Sequence, residues 1–246
     1  MSLFIYGIHP VLEALRRRPH DFRRIVIARE RSGDDAREIA ARARKGGITV
    51  ARDSMAGIDK LCRSEHHQGV AAEVAAFPLE ECSQVIAGSR KLEQPVFFLV
   101  LDTIQDPHNF GALIRSAVCC GVQAVIFPKD RAATLTGTVA KASAGAIEHI
   151  TLCRVVNIAA TLELLKKEGV WIVGTDAAGG QSIYDFDFKL DMALVIGSEG
   201  KGIRPLVRKK CDFSLAVPMQ GSFNSLNASA AGAVVLFEAM RQRQLS

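Results

Sequence analysis

The chain has 246 residues, 48% of them apolar, with 31 Lys and Arg against 26 Asp and Glu. That is enough length for one large or two medium domains and enough apolar content for a packed core, which excludes a disordered chain. No run of about 18 apolar residues occurs, so no membrane span is expected, and the opening MSLFIYGIHP lacks the basic lead and long apolar stretch of a secretory signal; a cytoplasmic location is the expectation.

Residues 1–77 form a first block of helix, strand, helix, strand, short helix and strand, as expected for a small α/β domain. In GIHPVLEALRRRP, Val11, Leu12 and Leu15 share one helical face and Pro19 stops the helix. RRIVIAR is a compact strand. DDAREIAARARKGG starts with acids, ends with bases and is followed by glycine, as the helix dipole and a C-cap prefer. GVAAEVAAF alternates as a strand. Residues 1–50 carry 11 Lys and Arg against 6 Asp and Glu, whereas the remainder balances at 20 against 20. Arg16, Arg17, Arg18, Arg23 and Arg24 concentrate that excess. Such a region suits a polyanion, most simply nucleic acid; a solvated helix end with its strand flank is the alternative.

Residues 78–95, PLEECSQVIAGSRKLEQP, are polar, bounded by prolines and predicted as a linker holding a possible short helix. Residues 96–246 form the second block. VFFLVLD is a continuous apolar run, as in a strand buried on both faces. Helix FGALIRSAVCCG, strand AVIFP, helix LTGTVAKASAGA and strand HITLCRV follow. Helix NIAATLELLKKEG then leads to strands VWIVGTD and ALVIGS, a short basic helix, strand FSLAVPM and the closing helix SLNASAAGAVVLFEAMRQR. This alternation predicts a parallel sheet with helices on both faces and ligands at the carboxyl ends of its strands.

Three strand ends carry unusual polar sequence. LDTIQDPHNFGALIRSA leaves a strand at Asp102 and enters a helix near Pro107. There Arg115 sits among Leu113, Ile114, Ala117 and Val118 and, if buried, needs a polar or anionic partner. IGSEGKGI is a glycine turn whose centre, Glu199, is a carboxylate where a phosphate loop would want cations. VPMQGSFNSLNASAAG loops into a helix that Ser225 and Asn227 can cap. The small residues that follow predict a helix packed closely on the sheet or on a second subunit. The six cysteines form no CxxC pair, and His66, His67, His108 and His149 lack metal spacing, so neither a disulfide framework nor a metal site is expected. There is no GxGxxG after a first strand, no GxxxxGK[ST] and no GxSxG.

The three stretches, in this order, resemble the SPOUT superfamily of S-adenosylmethionine-dependent RNA methyltransferases, and within it the SpoU/TrmH group. The resemblance covers the C-terminal 150 residues closely. IYGIHPVLEAL resembles the start of the L30e-like RNA-binding domain of longer members, in particular those that methylate a guanosine ribose in the peptidyl-transferase P loop of 23S rRNA. The same chemistry on transfer RNA, and a non-catalytic RNA-binding protein of this fold, stay as alternatives. The resemblance implies an α/β fold with a deep trefoil knot in the C-terminal parallel sheet, a homodimer with the site near the subunit interface, and no metal. S-adenosylmethionine would lie at Thr175, Gly197, Glu199, Gly200, Val217, Met219, Ser225, Leu226 and Asn227. Arg115 would act on the ribose hydroxyl, Asn109 would position Arg115 or the ribose, and Glu199 would either orient Arg115 or organise the knot. The arginines of the first block would hold RNA phosphates, with Lys129 and Arg131 adding contacts.

Overall fold

The computed structural model describes residues 2–176, 180–221 and 225–244. In chain order its elements begin with β1 (Ser2–Tyr6), α1 (Ile8–Arg17), β2 (Phe22–Ala28), α2 (Asp34–Lys45), β3 (Thr49–Asp53), α3 (Met55–Cys62) and β4 (Val70–Ala75). There follow α4 (Cys82–Ser89), β5 (Phe97–Asp102), α5 (Pro107–Cys119), β6 (Ala124–Pro128), α6 (Gly137–Ala142), β7 (Thr151–Val155) and α7 (Ile158–Lys167). The chain continues through β8 (Trp171–Thr175), β9 (Gln181–Ser182), β10 (Met192–Gly197), α8 (Pro205–Arg208), β11 (Phe213–Ala216) and α9 (Ala228–Gln244). Among the described residues no helix is long and apolar enough to cross a membrane.

The chain divides into two compact units, Met1–Pro78 with Thr134–His149, and Leu79–Ala133 with Ile150–Ser246. The first holds a mixed four-stranded sheet, order β1-β4-β2-β3, in which β2 and β3 are parallel and the other pairs antiparallel. Strand β1 was not among the elements expected from sequence, since its five residues merge into the apolar start of α1. Segment 134–149, expected inside the second block, joins this unit because it packs on β1 and α1. A Cβ at Gly137 would overlap the Phe4 carbonyl, and the Tyr6 hydroxyl lies 3.0 Å from that of Thr138. Arg18 Nε donates to Glu148 Oε2 at 2.6 Å and its Nη2 to Oε1 at 3.0 Å.

The second unit is built on a seven-stranded parallel sheet, order β7-β6-β5-β10-β8-β11-β9. Every residue of β5 and β10 is buried, as their unbroken apolar sequence requires of central strands. The stretch predicted as a linker carries α4, whose Val85 and Ile86 are buried with Phe98 and Cys153 in this unit's core. Two adjacent apolar side chains on a short helix suffice to dock it. At the far end of the chain, Arg243 donates to the carbonyls of Phe188, Pro95, Val96 and Leu190 and lies 4.4 Å over the Phe97 ring. Burial lowers its guanidinium to about 10, so it stays cationic at neutral pH and ties α9 to the amino edge of the sheet.

Replacing Arg18 with Met would leave the Glu148 carboxylate buried without its partner, and breaking such a pair costs about 3–5 kcal/mol. The expected result is a lower urea midpoint at unchanged m-value; an unchanged midpoint would show that the pair holds nothing together.

Candidate active site

Helix α5 begins where β5 ends. Asp106 caps it, accepting from the N–H groups of His108 at 3.1 Å and Asn109 at 3.3 Å, and Pro107 takes the first helical position, where its missing N–H costs nothing. Asn109 is therefore fixed in the first turn and buried. The turn after β10 closes on itself through Ser198 N–H to Gly202 O at 3.1 Å and Gly202 N–H to Ser198 O at 2.8 Å. A Cβ at Gly197 would overlap the Gly202 carbonyl carbon and the Ile203 nitrogen, so only glycine fits where the strand enters this turn.

The tip of the turn is Glu199, and one of its oxygens joins all three strand ends. Glu199 Oε1 accepts from Asn109 Nδ2 at 2.9 Å, from Asn227 Nδ2, and from the Ala228 N–H at 3.4 Å. Asn227 Nδ2 also reaches Asn109 Oδ1 at 2.9 Å. The other end of the Asn227 amide caps α9, its Oδ1 accepting from Ser229 N–H at 2.9 Å and Ala230 N–H at 3.2 Å. The helix thus starts at Ala228, not at Ser225 as the sequence suggested, and Asn227 is its cap.

Beside this network lies a cavity of about 310 Å³. The main chain of Gly197, Glu199, Gly200 and Gly202 forms one side. Leu215, Val217, Met219, Leu226 and Val235 form apolar walls, while Ala228 and Ala231 of α9 are small enough to leave room. Thr175, Asp176 and Ser225 add polar groups; the Thr175 hydroxyl is committed to the Val195 carbonyl at 3.2 Å. All these positions are at or just beyond the carboxyl ends of β8, β10 and β11 or on the first turns of α9. On the other side of β8, Cys211 packs against Gly174, and burial pushes its thiol up to about 11, so it stays protonated as packing.

The structure therefore brings Thr175, Gly197, Glu199, Gly200, Val217, Met219, Ser225 and Leu226 to one cavity, with Asn109 and Asn227 behind Glu199. Residues 222–224 of the third motif lie outside the described residues. Arg115 stands apart. Asn109 is helical, so six residues of α5 turn Arg115 about 240° away from it. Leu113, Ile114 and Ala117 face inward; Arg115 is exposed and, among the described residues, holds no hydrogen bond or ion pair. The burial argument for a protein partner is thereby overturned, and Glu199 meets the asparagines, not Arg115.

Of the basic residues, Arg18 is buried and occupied by Glu148, Asp21 and the Ala75 carbonyl, which withdraws it from any RNA-facing surface. Arg16, Arg17, Arg23 and Arg24 are exposed, with Arg16 paired to Glu13 and Glu38, and Arg24 to Glu73. Lys129 and Arg131 are exposed beyond β6. Sequence reasoning missed Asp176, Leu215, Ala231 and Val235. Their strand-end and helix-face positions were visible, but nothing in their residue types sets them apart.

The SpoU rRNA methylase family model matches residues 96–237, and the model for RNA 2′-O ribose methyltransferase substrate binding matches residues 4–79. The chain belongs to the SpoU methylase family. It is 41% identical over 243 residues to the 23S rRNA (guanosine-2′-O-)-methyltransferase RlmB of Pectobacterium atrosepticum, covering 99% of each chain. It is 42% identical over 241 residues to YacO of Bacillus subtilis, named as a TrmH family tRNA/rRNA methyltransferase, covering 98% of this chain and 96% of that one. The crystal structure of the SpoU methyltransferase AviRb from Streptomyces viridochromogenes with AdoMet superposes with a TM-score of 0.81 at 26% identity, over all of this chain and 92% of that one. This SpoU methylase is an RNA 2′-O-ribose methyltransferase that uses S-adenosylmethionine. The cavity suits such a donor: apolar walls for a purine, glycine main chain for its edges, and the Glu199 carboxylate at the turn, while Asp176 is ion-paired with Arg208.

Replacing Glu199 with Ala removes the acceptor shared by the buried Asn109 amide and the exposed Asn227 amide. Leaving the buried amide unpaired costs about 1–3 kcal/mol, so a weaker fit for the donor is expected. Calorimetry with S-adenosylhomocysteine should show at least about a tenfold loss of affinity; unchanged affinity in folded protein would separate the network from binding.

Proposed function

We propose that this methyltransferase acts in the cytoplasm on a guanosine of 23S rRNA, in the peptidyl-transferase P loop. What carries the reading is the match to RlmB proteins across the substrate-binding region as well as the catalytic one, end to end. Transfer RNA is the second reading, because YacO, with a broader name, is similar to the same degree.

Bound in the cavity beside the glycine turn, S-adenosylmethionine supplies an electrophilic methyl on a sulfonium. The protein's task is to present a ribose 2′-oxygen in line with it, at about 3 Å, and to stabilise the charge that develops on that oxygen. We assign the second role to Arg115. A guanidinium serves here as a charge and not as a base. Asn109, held by Glu199 and Asn227, keeps the start of α5 fixed. The exposed Arg16, Arg17, Arg23 and Arg24, with Lys129 and Arg131, would hold RNA phosphates, contacts that position without specifying sequence. Arg18 is dropped from that set.

We further propose that two copies pair through the outer face of α5 and α9. Helix α9 exposes Val234 and Phe237 at 38% and 46%, and the outward residues of α5 include Arg115. Pairing there brings Arg115 to the subunit interface. The trefoil knot belongs to the same reading; its support is β10 lying between β5 and β8 while β11 lies beyond β8.

Two outcomes test this. Methyl transfer from labelled donor should be far faster to 23S rRNA than to transfer RNA from cells lacking the enzyme, and mapping should place the mark on a P-loop guanosine. With Arg115→Ala the transfer should vanish while S-adenosylhomocysteine binding persists; preferred labelling of transfer RNA would favour the second reading. Separately, Phe237→Glu should convert a dimer to a monomer by light scattering, and a persistent dimer would place the interface elsewhere.

A further inference from the structure

Asp102 is the last residue of β5, fully buried, and is paired in register with Gly197 on β10. Its carboxylate takes three N–H groups from one residue on the far side of the glycine turn. The Arg204 main-chain N–H donates to Oδ2 at 2.8 Å, Nε to Oδ1 at 2.7 Å, and Nη2 lies 2.6 Å from Oδ1. The turn 197–204 thus has both limbs referred to a single strand-end residue, its start through the sheet and its finish through a buried ion pair. Thr103 follows with a φ of 64°, a left-handed backbone that a β-branched side chain rarely adopts, and its hydroxyl donates to the Asp102 carbonyl at 2.6 Å.

None of these groups lines the cavity. What they fix is the turn that does. Gly200 and Gly202 have φ of 75° and 62° and no side chain to pack, so beyond the Ser198–Gly202 backbone pair and the bonds of Glu199 the turn depends on what anchors its two limbs. We propose that Asp102 is a positioning residue for the methyl donor, acting through Arg204 to hold the glycine turn in its binding-competent form. The inference rests on the donor lying in the cavity beside that turn. A charge-assisted double contact is directional, and a buried carboxylate has no water to fall back on, so the turn is held in one pose. Asp102→Asn keeps the size of the side chain but removes the charge and one acceptor, loosening the turn without touching the ribose side of the reaction.

The test uses the full-length enzyme, with S-adenosylhomocysteine as calorimetric probe and steady-state methyl transfer to 23S rRNA. For Asp102→Asn, Kd for the probe and KM for the donor should rise about tenfold or more, the size expected for a lost charged hydrogen bond. At saturating donor, kcat should stay within about threefold and KM for RNA should not move, the pattern of lost uniform donor binding. Should Asp102→Asn fail to fold, Arg204→Gln, which keeps the main-chain N–H bond, should give the same split between donor KM and kcat. Unchanged probe affinity, or a fall in kcat with donor KM intact, would overturn the positioning role. Ala231→Phe, which fills the cavity, separates the two layers. If it abolishes probe binding while the Asp102 variant does not weaken it, only the positioning role falls. If it leaves probe binding intact, the placement of the donor falls with it.

Discussion

Glu199 Oε1 accepts from both asparagine amides and from the first N–H of α9, so the ends of β5, β10 and β11 share one negative charge. A carboxylate at the amino end of a seventeen-residue helix is favoured by the helix dipole, and its bonds to amides are charge-assisted. Remove it and one buried and one exposed amide lose their acceptor together, so the three motifs are coupled by electrostatics as well as by chain geometry. The same charge decides what the neighbouring turn can hold. A glycine turn after a parallel strand is otherwise well suited to phosphate. With a fixed carboxylate at its tip, the turn disfavours an anion, and the apolar walls beside it accommodate a purine.

That junction requires α9 to lie very close to α5 and to β10. Gly232 sets the distance: a Cβ there would overlap Leu113 Cδ2 and press on Ile196 Cδ1. Ala228, the first residue of the helix, and Ala231, about one turn along, leave space where larger side chains would fill the cavity. The run of small residues in α9 therefore serves two needs at once, close packing behind the network and open volume beside it. At the other end of the helix Arg243 spends its guanidinium on four carbonyls, so the helix is fixed at both ends.

Asn109, Glu199 and Asn227 stood out in the sequence because each sits in a strand-to-helix junction with the wrong chemistry for plain structure, whereas cavity residues such as Thr175, Val217 and Met219 followed only from the family resemblance. Asn109 follows a cap and a proline, Glu199 lies inside a glycine turn, and Asn227 precedes a helix of small residues. What stayed hidden depended on distant parts of the chain. Arg18 looked like part of a basic run, but its partner Glu148 is 130 residues away. Nothing beside Arg204 in the sequence points to its partner, the buried Asp102, 102 residues away. The linker and segment 134–149 were misplaced for the same reason: a short helix reveals its own faces, not the surface on which it docks. Arg115 was the opposite error. Its apolar neighbours along the chain suggested burial, yet the helical period turns them inward and turns the arginine out.

The exposure of Arg115 fits the role proposed for it better than burial would. The donor is a small molecule, and it can be held by a preformed cavity whose groups are fixed before it arrives. The acceptor is a ribose within a large polyanion, and it must come from outside. A guanidinium already committed to a buried carboxylate would have to break that pair to meet the incoming oxygen, giving up much of what it gains. An unpaired, solvated guanidinium loses only water, and its charge draws in the same polyanion. Placed on the outer face of α5, it becomes confined only when another surface covers it. In the proposed dimer that surface is a second copy, which restricts the side chain and lowers the local dielectric while leaving the ribose side open. Charge stabilisation at the reacting oxygen strengthens as water is excluded, so the step that completes the fold of two chains would also complete the site.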